Sequence, residues 1–368
     1  MTLNLAVVRD FRVEGWPSMD LCADQLLAHL PTGVNGTDVA PEFRRLFGRL
    51  PGLRGIGFNA DRIRNRHVLL PKVVRRAAIV AGFVHVVDHS YAHLVHAVPP
   101  VRAGVYCHDL DAFRCILEPE KDPRPLWFRK LARRTLDGLK RAAVVFHSTD
   151  SVREQILYHR LVDPTLLIHA PYGVAAEFTA ESQDPVERPV ADPFLLHVGS
   201  LIPRKRIDVL LDVFAAVRER LPNLRLVQVG GPWSKPHAEQ IDRLGIAPAV
   251  TQLRGLSRLQ LAELYRRAVA VLVTSDAEGF GLPVIEALAC GAPVVASDIP
   301  VLREVGGAAV DFCPVADIPA WLEAVTRAIL RPSPKAARIE QASRYSWAEH
   351  GRIIGEAYLR LAAGLPLR

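Results

Sequence analysis

From residue 193 onward, apolar β-branched runs alternate with segments of helical period, and no other feature constrains the fold as tightly. The order is "FLLHVGS", "RIDVLLDVFAAVRERL", "LRLVQVG", "HAEQIDRLG", "TQLRG", "RLQLAELYRRA" and "VAVLVTS". Continuous apolar runs read as strands buried on both faces, and such alternation builds a doubly wound parallel sheet. The first half is less regular but similar in kind, with "LNLAVV", "FVHVVDHS", "AGVYCHDL" and "AAVVFHS" separated by helical periods. A chain of 368 residues exceeds what one core usually serves. The expectation is an α/β protein of two Rossmann-like domains. The polar, Pro-rich stretch "ESQDPVERPVADP" (181–193) has linker composition. It places a first domain at 1–180 and a second at 181–345. An amphipathic helix at 346–368, capped by Ser346, is expected to cross back to the first domain.

The last strand–helix–strand unit carries the most chemistry. In "SDAEGFGLPVIEALACGAPVVASD" (275–298), Glu278 and Glu286 stand eight positions apart around a Gly-Phe-Gly-Leu-Pro turn. Pro283 suits the first helical position, Glu286 falls in the first turn, and Gly291 stands where a left-handed C-terminal cap is wanted. Amides near Gly281 to Val284 would face an anion at the helix N-terminus. A carboxylate is an acceptor-only group suited to a vicinal diol. The ligand implied is a phosphate flanked by sugars. Taken alone, the same residues also fit a solvated loop glutamate and a second one that complements the helix dipole.

Charge is distributed unevenly. The formal net charge is +7, with 46 Lys and Arg against 39 Asp and Glu. Residues 1–175 hold 24 basic and 17 acidic side chains, and residues 176–368 hold 22 of each, so all the excess lies in the first half. That asymmetry points to an acidic partner, such as an anionic lipid surface or a phosphorylated acceptor. It concentrates in "DRIRNRHVLLPKVVRRA" (61–77) and "RPLWFRKLARRTLDGLKRA" (124–142). In the second, Leu126, Trp127, Leu131, Leu136 and Leu139 can line one helical stripe, either as a core face or as a membrane-surface face with snorkelling cations. Nucleic acid is disfavoured, because no groove-reading or basic-aromatic motif accompanies the charge. No uncharged apolar run reaches eighteen residues, and "MTLNLAVVRDF" starts as a strand without a basic signal-peptide start. Five scattered cysteines (22, 107, 115, 290, 313) make no CxxC pair, which favours a reducing compartment over a disulfide framework or zinc site.

Two Rossmann-like halves with a diol-binding glutamate pair resemble the retaining glycosyltransferases of family 4, which have the GT-B fold: two such domains facing each other across a cleft. "EGFGLPVIEALACGAPVVAS" is similar to that family's E-x7-E signature. "LLHVGSLIPRKRIDVLLDVF" (195–214) resembles its first donor-domain strand, loop and helix, and "VGGPW" with "TQLRGLSRLQLAELYRRAVAVLVTS" resembles its nucleotide-base region. The resemblance implies that Glu286 accepts from ribose hydroxyls and Glu278 from the transferred sugar. Gly279, Phe280, Gly281, Leu282 and Pro283 would lie against the diphosphate. Lys205 would neutralise the diphosphate as the bond to the leaving group breaks. Where the family commonly has Gly-Arg, this chain has Gly199-Ser200; Arg204, beside Lys205, could replace the missing cation. Gly231 and Arg254, Gly255 and Leu256 would lie along the nucleotide.

In the first half, "GVYCHDLDAFR" (104–114) contains His108-Asp109, similar to the family's HD motif. His108 would face the sugar near the reacting carbon; Asp109 could orient its ring or cap the next segment. Asp88-His89 ends another strand and has a lesser claim on the acceptor. The first loop, "DFRVEGWPSMDLCADQL" (10–26), has Gly15-Trp16-Pro17-Ser18 in place of the family's glycine pair. Trp16 could stack on an acceptor or pack, and Ser18 could contribute a hydroxyl. Asp109 and Asp111 have Asp-x-Asp spacing but sit in the acceptor half, so metal independence is expected.

The expected activity is retaining transfer of a hexose from a GDP-mannose or UDP-hexose type donor to a hydroxyl acceptor. The acceptor would be an acidic, lipid-linked or glycan molecule, and the enzyme cytoplasmic, in peripheral contact with the inner face of a membrane. No side chain reads as an obvious nucleophile, which favours front-face attack. The alternatives are a phosphorylase or hydrolase of related architecture and a non-catalytic nucleotide-sugar binding protein.

Overall fold

The computed structural model describes residues 2–49, 54–181, 190 and 193–367, so most of the expected linker lies outside the described residues. The chain divides into two compact units, Met1–Gly173 with Trp347–Arg368, and Val174–Ser346. The second unit therefore starts seven residues before 181. Its first residue is tied to its last turn, the Val174 amide donating to the Tyr345 carbonyl at 3.3 Å.

Unit 1 contains β1 (Leu3–Val8), β2 (Val34–Val39), β3 (Gly82–Val86), β4 (Ala103–Cys107), β5 (Val144–His147) and β6 (Leu167–His169). All pairings are parallel, in the order β2-β1-β3-β4-β5-β6. The inner strands are buried on both faces, as continuous apolar runs require: all five residues of β4 and all four of β5 are buried.

The closing helix Trp347–Ala362 belongs to this unit. Tyr358 is fully buried and its hydroxyl donates to the Val84 carbonyl at 3.1 Å. That hydroxyl has one proton, so the His85 ring, 3.1 Å away, donates to it through Nδ1. Close approach depends on glycine. A Cβ on Gly104 of β4 would meet the Tyr358 oxygen at 2.3 Å, and one on Gly351 would meet the His29 carbonyl at 2.2 Å.

Unit 2 contains β7 (Phe194–Val198), β8 (Arg225–Val229), β9 (Val250–Leu253), β10 (Ala270–Val273), β11 (Val294–Ser297) and β12 (Asp311–Cys313). Again all pairings are parallel, in the order β12-β11-β10-β7-β8-β9. Its core packs Trp321, Val325 and Phe214 against Leu195, Leu226 and Leu272.

Each sheet reverses its winding once. In unit 1 the reversal falls between β1 and β3, and in unit 2 between β7 and β10. Loops leaving the carboxyl ends of the two strands at such a point diverge to opposite faces and leave a crevice there, which is where open α/β sheets hold ligands.

Candidate functional site

In unit 2 the loops after β7 and β10 meet at the reversal. The first makes a 3-10 turn at Pro203–Lys205 before the helix Ile207–Arg220. Two bonds join the loops: the Asp276 amide donates to the Arg204 carbonyl at 2.9 Å, and the Thr274 hydroxyl to the Lys205 carbonyl at 2.9 Å. Across this seam Lys205 Nζ lies 2.5 Å from Glu278 Oε1, which also accepts from the Ser275 hydroxyl at 2.7 Å. Both partners are largely buried, with 13% and 7% of their side-chain surface exposed. The sequence assigned these two groups to separate parts of one ligand, and without that ligand they neutralise each other. Beneath them, burial and the Lys205 charge push the His197 ring down to about 3, so it is neutral.

Glu286 lies in the helix Leu282–Ala289, whose N-cap is Gly281 at φ +100°. It sits in the second turn rather than the first, so it is buried instead of complementing the helix end. Burial pushes its carboxyl up to about 7, against the pull of the Tyr265 hydroxyl, which donates to Oε2 at 3.0 Å. The anion cradle is narrower than the sequence suggested. Pro283 has no N–H, and the Val284 amide donates to the Gly281 carbonyl at 2.9 Å. Phe280 is buried edge-on against Tyr345, with ring centroids 5.4 Å apart.

A glutamine ladder not picked out in the sequence braces the other loops. Gln228 donates to the Gly199 carbonyl at 3.0 Å, and Gln252 donates to Gln228 at 2.9 Å and to the Gly231 carbonyl at 2.7 Å. Arg254 donates to Gln252 at 3.0 Å. The carbonyls of Gly199 and Gly231 and the Arg254 side chain thus belong to one network. Gly255 turns at φ +65°, Leu256 is half-buried and Ser200 is exposed. The available signal was a glutamine inside the apolar run "LVQV".

In unit 1 the predicted acceptor residues gather less completely. His108 is buried with both ring nitrogens engaged. The Val87 carbonyl can only accept, so Nε2 carries the proton and donates to it at 2.7 Å. Burial pushes the ring down to about 4. Nδ1 is therefore an acceptor, facing the Tyr172 hydroxyl. His89 accepts from the His108 amide at 3.3 Å, with Asp88 and Asp109 oxygens at 3.4 and 3.3 Å from its nitrogens. Burial alone would lower the His89 pKa, but the Asp109 and Asp88 carboxylates raise it. Asp109 faces His89 rather than orienting His108, and it caps the following turn by accepting from the Asp111 amide at 3.0 Å. In the first loop, Gly15 turns at φ +73°, Trp16 is 46% exposed, and Ser18 is exposed in the first turn of the helix Pro17–Ala28.

The profile of the "Glycosyl transferases group 1" family matches residues 179–345, nearly the whole of unit 2. The likeness to the group 1 glycosyl transferases is thus a likeness of this unit. The D-inositol 3-phosphate glycosyltransferase of Mycolicibacterium smegmatis is 35% identical over 200 residues, covering 50% of this chain and 44% of that protein. Its namesake from Segniliparus rotundus is 38% identical over 178 residues, covering 45% of this chain and 38% of that protein. The chain thus spans about half or less of the length of these relatives. Among solved structures, sucrose-phosphate synthase from Thermosynechococcus elongatus matches with a TM-score of 0.75 at 18% identity, over 98% of this chain and 100% of that one. Anabaena HepE in complex with UDP and glucose matches with a TM-score of 0.72 at 17% identity, over 97% and 99%. These likenesses show the fold, the two-domain α/β arrangement of GT-B proteins.

Proposed function

We propose that this chain is a glycosyl transferase of the group 1 type, moving a hexose from a nucleoside diphosphate sugar of the UDP-hexose or GDP-mannose type to a hydroxyl acceptor, with retention. The observation that carries the proposal is the Lys205–Glu278 contact at the unit 2 reversal, in the unit that matches the family. A sugar diphosphate would separate the pair by offering each what it lacks: phosphate oxygens to the ammonium and sugar hydroxyls to the carboxylate. Glu286, as a carboxylate, would accept from the ribose diol. Lys205 then stabilises the charge that develops on the departing diphosphate, which makes a divalent metal unnecessary at that step. Retention by front-face attack rests on the family resemblance, with the departing phosphate taking the acceptor proton.

The acceptor belongs to unit 1, and a peripheral membrane position at the cytoplasmic face accompanies it. One correction to the sequence analysis supports the membrane contact. Only the later positions of the proposed stripe, Leu136 and Leu139, are buried; Leu126 is 82% and Trp127 57% exposed. The helix Leu126–Lys140 therefore enters the core from Ala132 onward and leaves an apolar first turn outside, beside Arg124, Arg129, Lys130 and Arg133. Apolar tips among cations suit an anionic lipid interface. No helix among the described residues is long and apolar enough to cross a membrane.

The deciding experiment measures release of nucleoside diphosphate from a panel of nucleotide sugars, with and without hydroxyl acceptors. Release that needs both substrates supports the transferase. Cleavage of a glycoside by phosphate or water, without nucleotide, would favour the phosphorylase or hydrolase; tight binding without turnover would favour a binding protein.

A further inference from the structure

The unit 1 reversal holds a buried carboxyl, Asp10, to which no described residue donates a hydrogen bond. Asp10 follows β1, and Asp88 and His89 follow β3, so they leave the two strands between which the winding reverses. Asp10 is only 7% exposed, and neither carboxyl oxygen accepts a hydrogen bond from a described residue. Leaving a buried polar group unmade costs about 1–3 kcal/mol, and such a group at a crevice calls for a ligand. Its neighbour in sequence does not share the problem: Arg9 reaches Asp24 at 2.7 Å and Asp38 at 2.6 Å.

We propose that Asp10 and Asp88 form a binding site for the hydroxyls of a neutral polyol or sugar ring at the β1–β3 reversal. Asp88 is held by Ser90, accepting from its amide at 2.7 Å and its hydroxyl at 2.6 Å, which fixes one wall. Burial, together with the charge of the neighbouring Asp88, raises the Asp10 carboxyl well above the usual carboxylate range, so it keeps its proton. A protonated carboxyl donates one hydrogen bond and accepts others, matching a hydroxyl, which does both. Phosphate does not fit, because the cation that acts on Asp10 is engaged elsewhere. Arg66 donates to the Ser90 carbonyl at 2.6 Å and its hydroxyl at 3.0 Å, contacts Glu14 at 3.4 Å, and lies 3.9 Å from the Tyr91 ring centre. A divalent cation fits poorly too. Asp88, His89 and His108 offer ligand atoms within 4.8 Å of one another, but His108 has no free lone pair, its Nε2 donating to Val87 and its Nδ1 engaged by Tyr172.

Combined with the proposed transfer, this ligand is the acceptor, and the inference rests on that reading only for the ligand's fate. The test uses the full chain and imidazole NMR of His89, titrated with methyl α-mannoside, methyl α-glucoside, myo-inositol, inorganic phosphate and magnesium. At least one of the three polyols is expected to shift the His89 resonances saturably, while phosphate and magnesium do not. Asp10→Ala should weaken that binding about tenfold, the loss of one hydrogen bond to a buried carboxyl. Asp10→Asn, which keeps a donor and an acceptor, should lose less, and the thermal midpoint should not fall in either variant. The proposal is overturned if no polyol binds, if Asp10→Ala binds as wild type does, or if phosphate or magnesium occupies the site through Asp10. Nucleotide binding measured in parallel separates the two proposals: polyol binding without any nucleotide binding would sink the transferase and leave this site standing.

Discussion

The two reversals of winding share a geometry and differ in chemistry. In unit 2 a lysine meets a glutamate, and in unit 1 two carboxyls meet beside two imidazoles. The first is charge-balanced without ligand, and opening it suits a molecule that is anionic at one end and hydroxylated at the other. The second lacks a directed cation and suits a neutral hydroxylated ring. On the proposed reading, equivalent positions in two related sheets would divide the labour of a two-substrate transfer, with the phosphate chemistry confined to one of them.

The largest effect expected from breaking this comparison is at Lys205. Lys205→Ala should lower turnover of the nucleotide sugar about 10²–10³-fold, as loss of an electrostatic donor to a developing charge does. Lys205→Arg should recover part of it. In unit 1 Asp10→Ala should act on acceptor KM and leave donor KM unchanged; steady-state kinetics in both substrates would show whether the two sites separate as claimed.

An intermediate effect belongs to the scaffold of unit 1. Gly104→Ala places a methyl 2.3 Å from the Tyr358 oxygen, and should destabilise the protein by about 1–3 kcal/mol through overpacking. Denaturant unfolding measures this, and nucleotide affinity should hold in the fraction that stays folded.

Smaller, and sharper, is a pH effect confined to unit 2. Glu286 keeps its proton up to about 7 when folded, against 4.5 for an exposed glutamate. An acid whose folded pKa is raised makes stability fall as pH rises between those values, because the unfolded chain loses its proton first. Nucleotide binding through the carboxylate has the opposite sign: affinity should weaken as pH drops below about 7, by up to about tenfold per unit. Glu286→Gln should flatten the profile. Tyr265→Phe should move it to higher pH, because the phenol's hydrogen bond holds the carboxyl down. Calorimetric titrations of nucleoside diphosphate between pH 6 and 8 would check all three.

Unit 2 was more legible in sequence than unit 1, for physical reasons. Its strands are continuous apolar runs, and its paired glutamates lie within one short loop and helix, so spacing alone brings them near each other. What spacing could not show was depth. Glu286 falls one turn further into the helix than expected, and Ser275, Tyr265 and the Gln228–Gln252 ladder carry hydrogen bonds that no local pattern announces. In unit 1 the site residues come from three strand ends, at Asp10, Asp88 and His108, and only the topology brings them to one edge. His108 read as an open catalytic ring because a histidine after a strand shows nothing of its partners; the Val87 carbonyl and the Tyr172 hydroxyl engage both nitrogens. Asp10 stands in sequence as the first residue of a polar loop, and the signal it carries is an acidic residue two positions past an apolar first strand. The exposed Leu126–Trp127 turn shows the converse limit, since helical period places residues on a face without saying where the core begins.

The central claim is that unit 2 holds a nucleoside diphosphate through Lys205, Glu278 and Glu286. Calorimetric titration of UDP and GDP into the full chain and into Glu286→Ala tests it most directly. Saturable binding of one of them to the wild-type protein, weakened at least about tenfold in the variant, is the predicted result. Folded protein that binds neither nucleotide, or binds one equally well with and without Glu286, would contradict it.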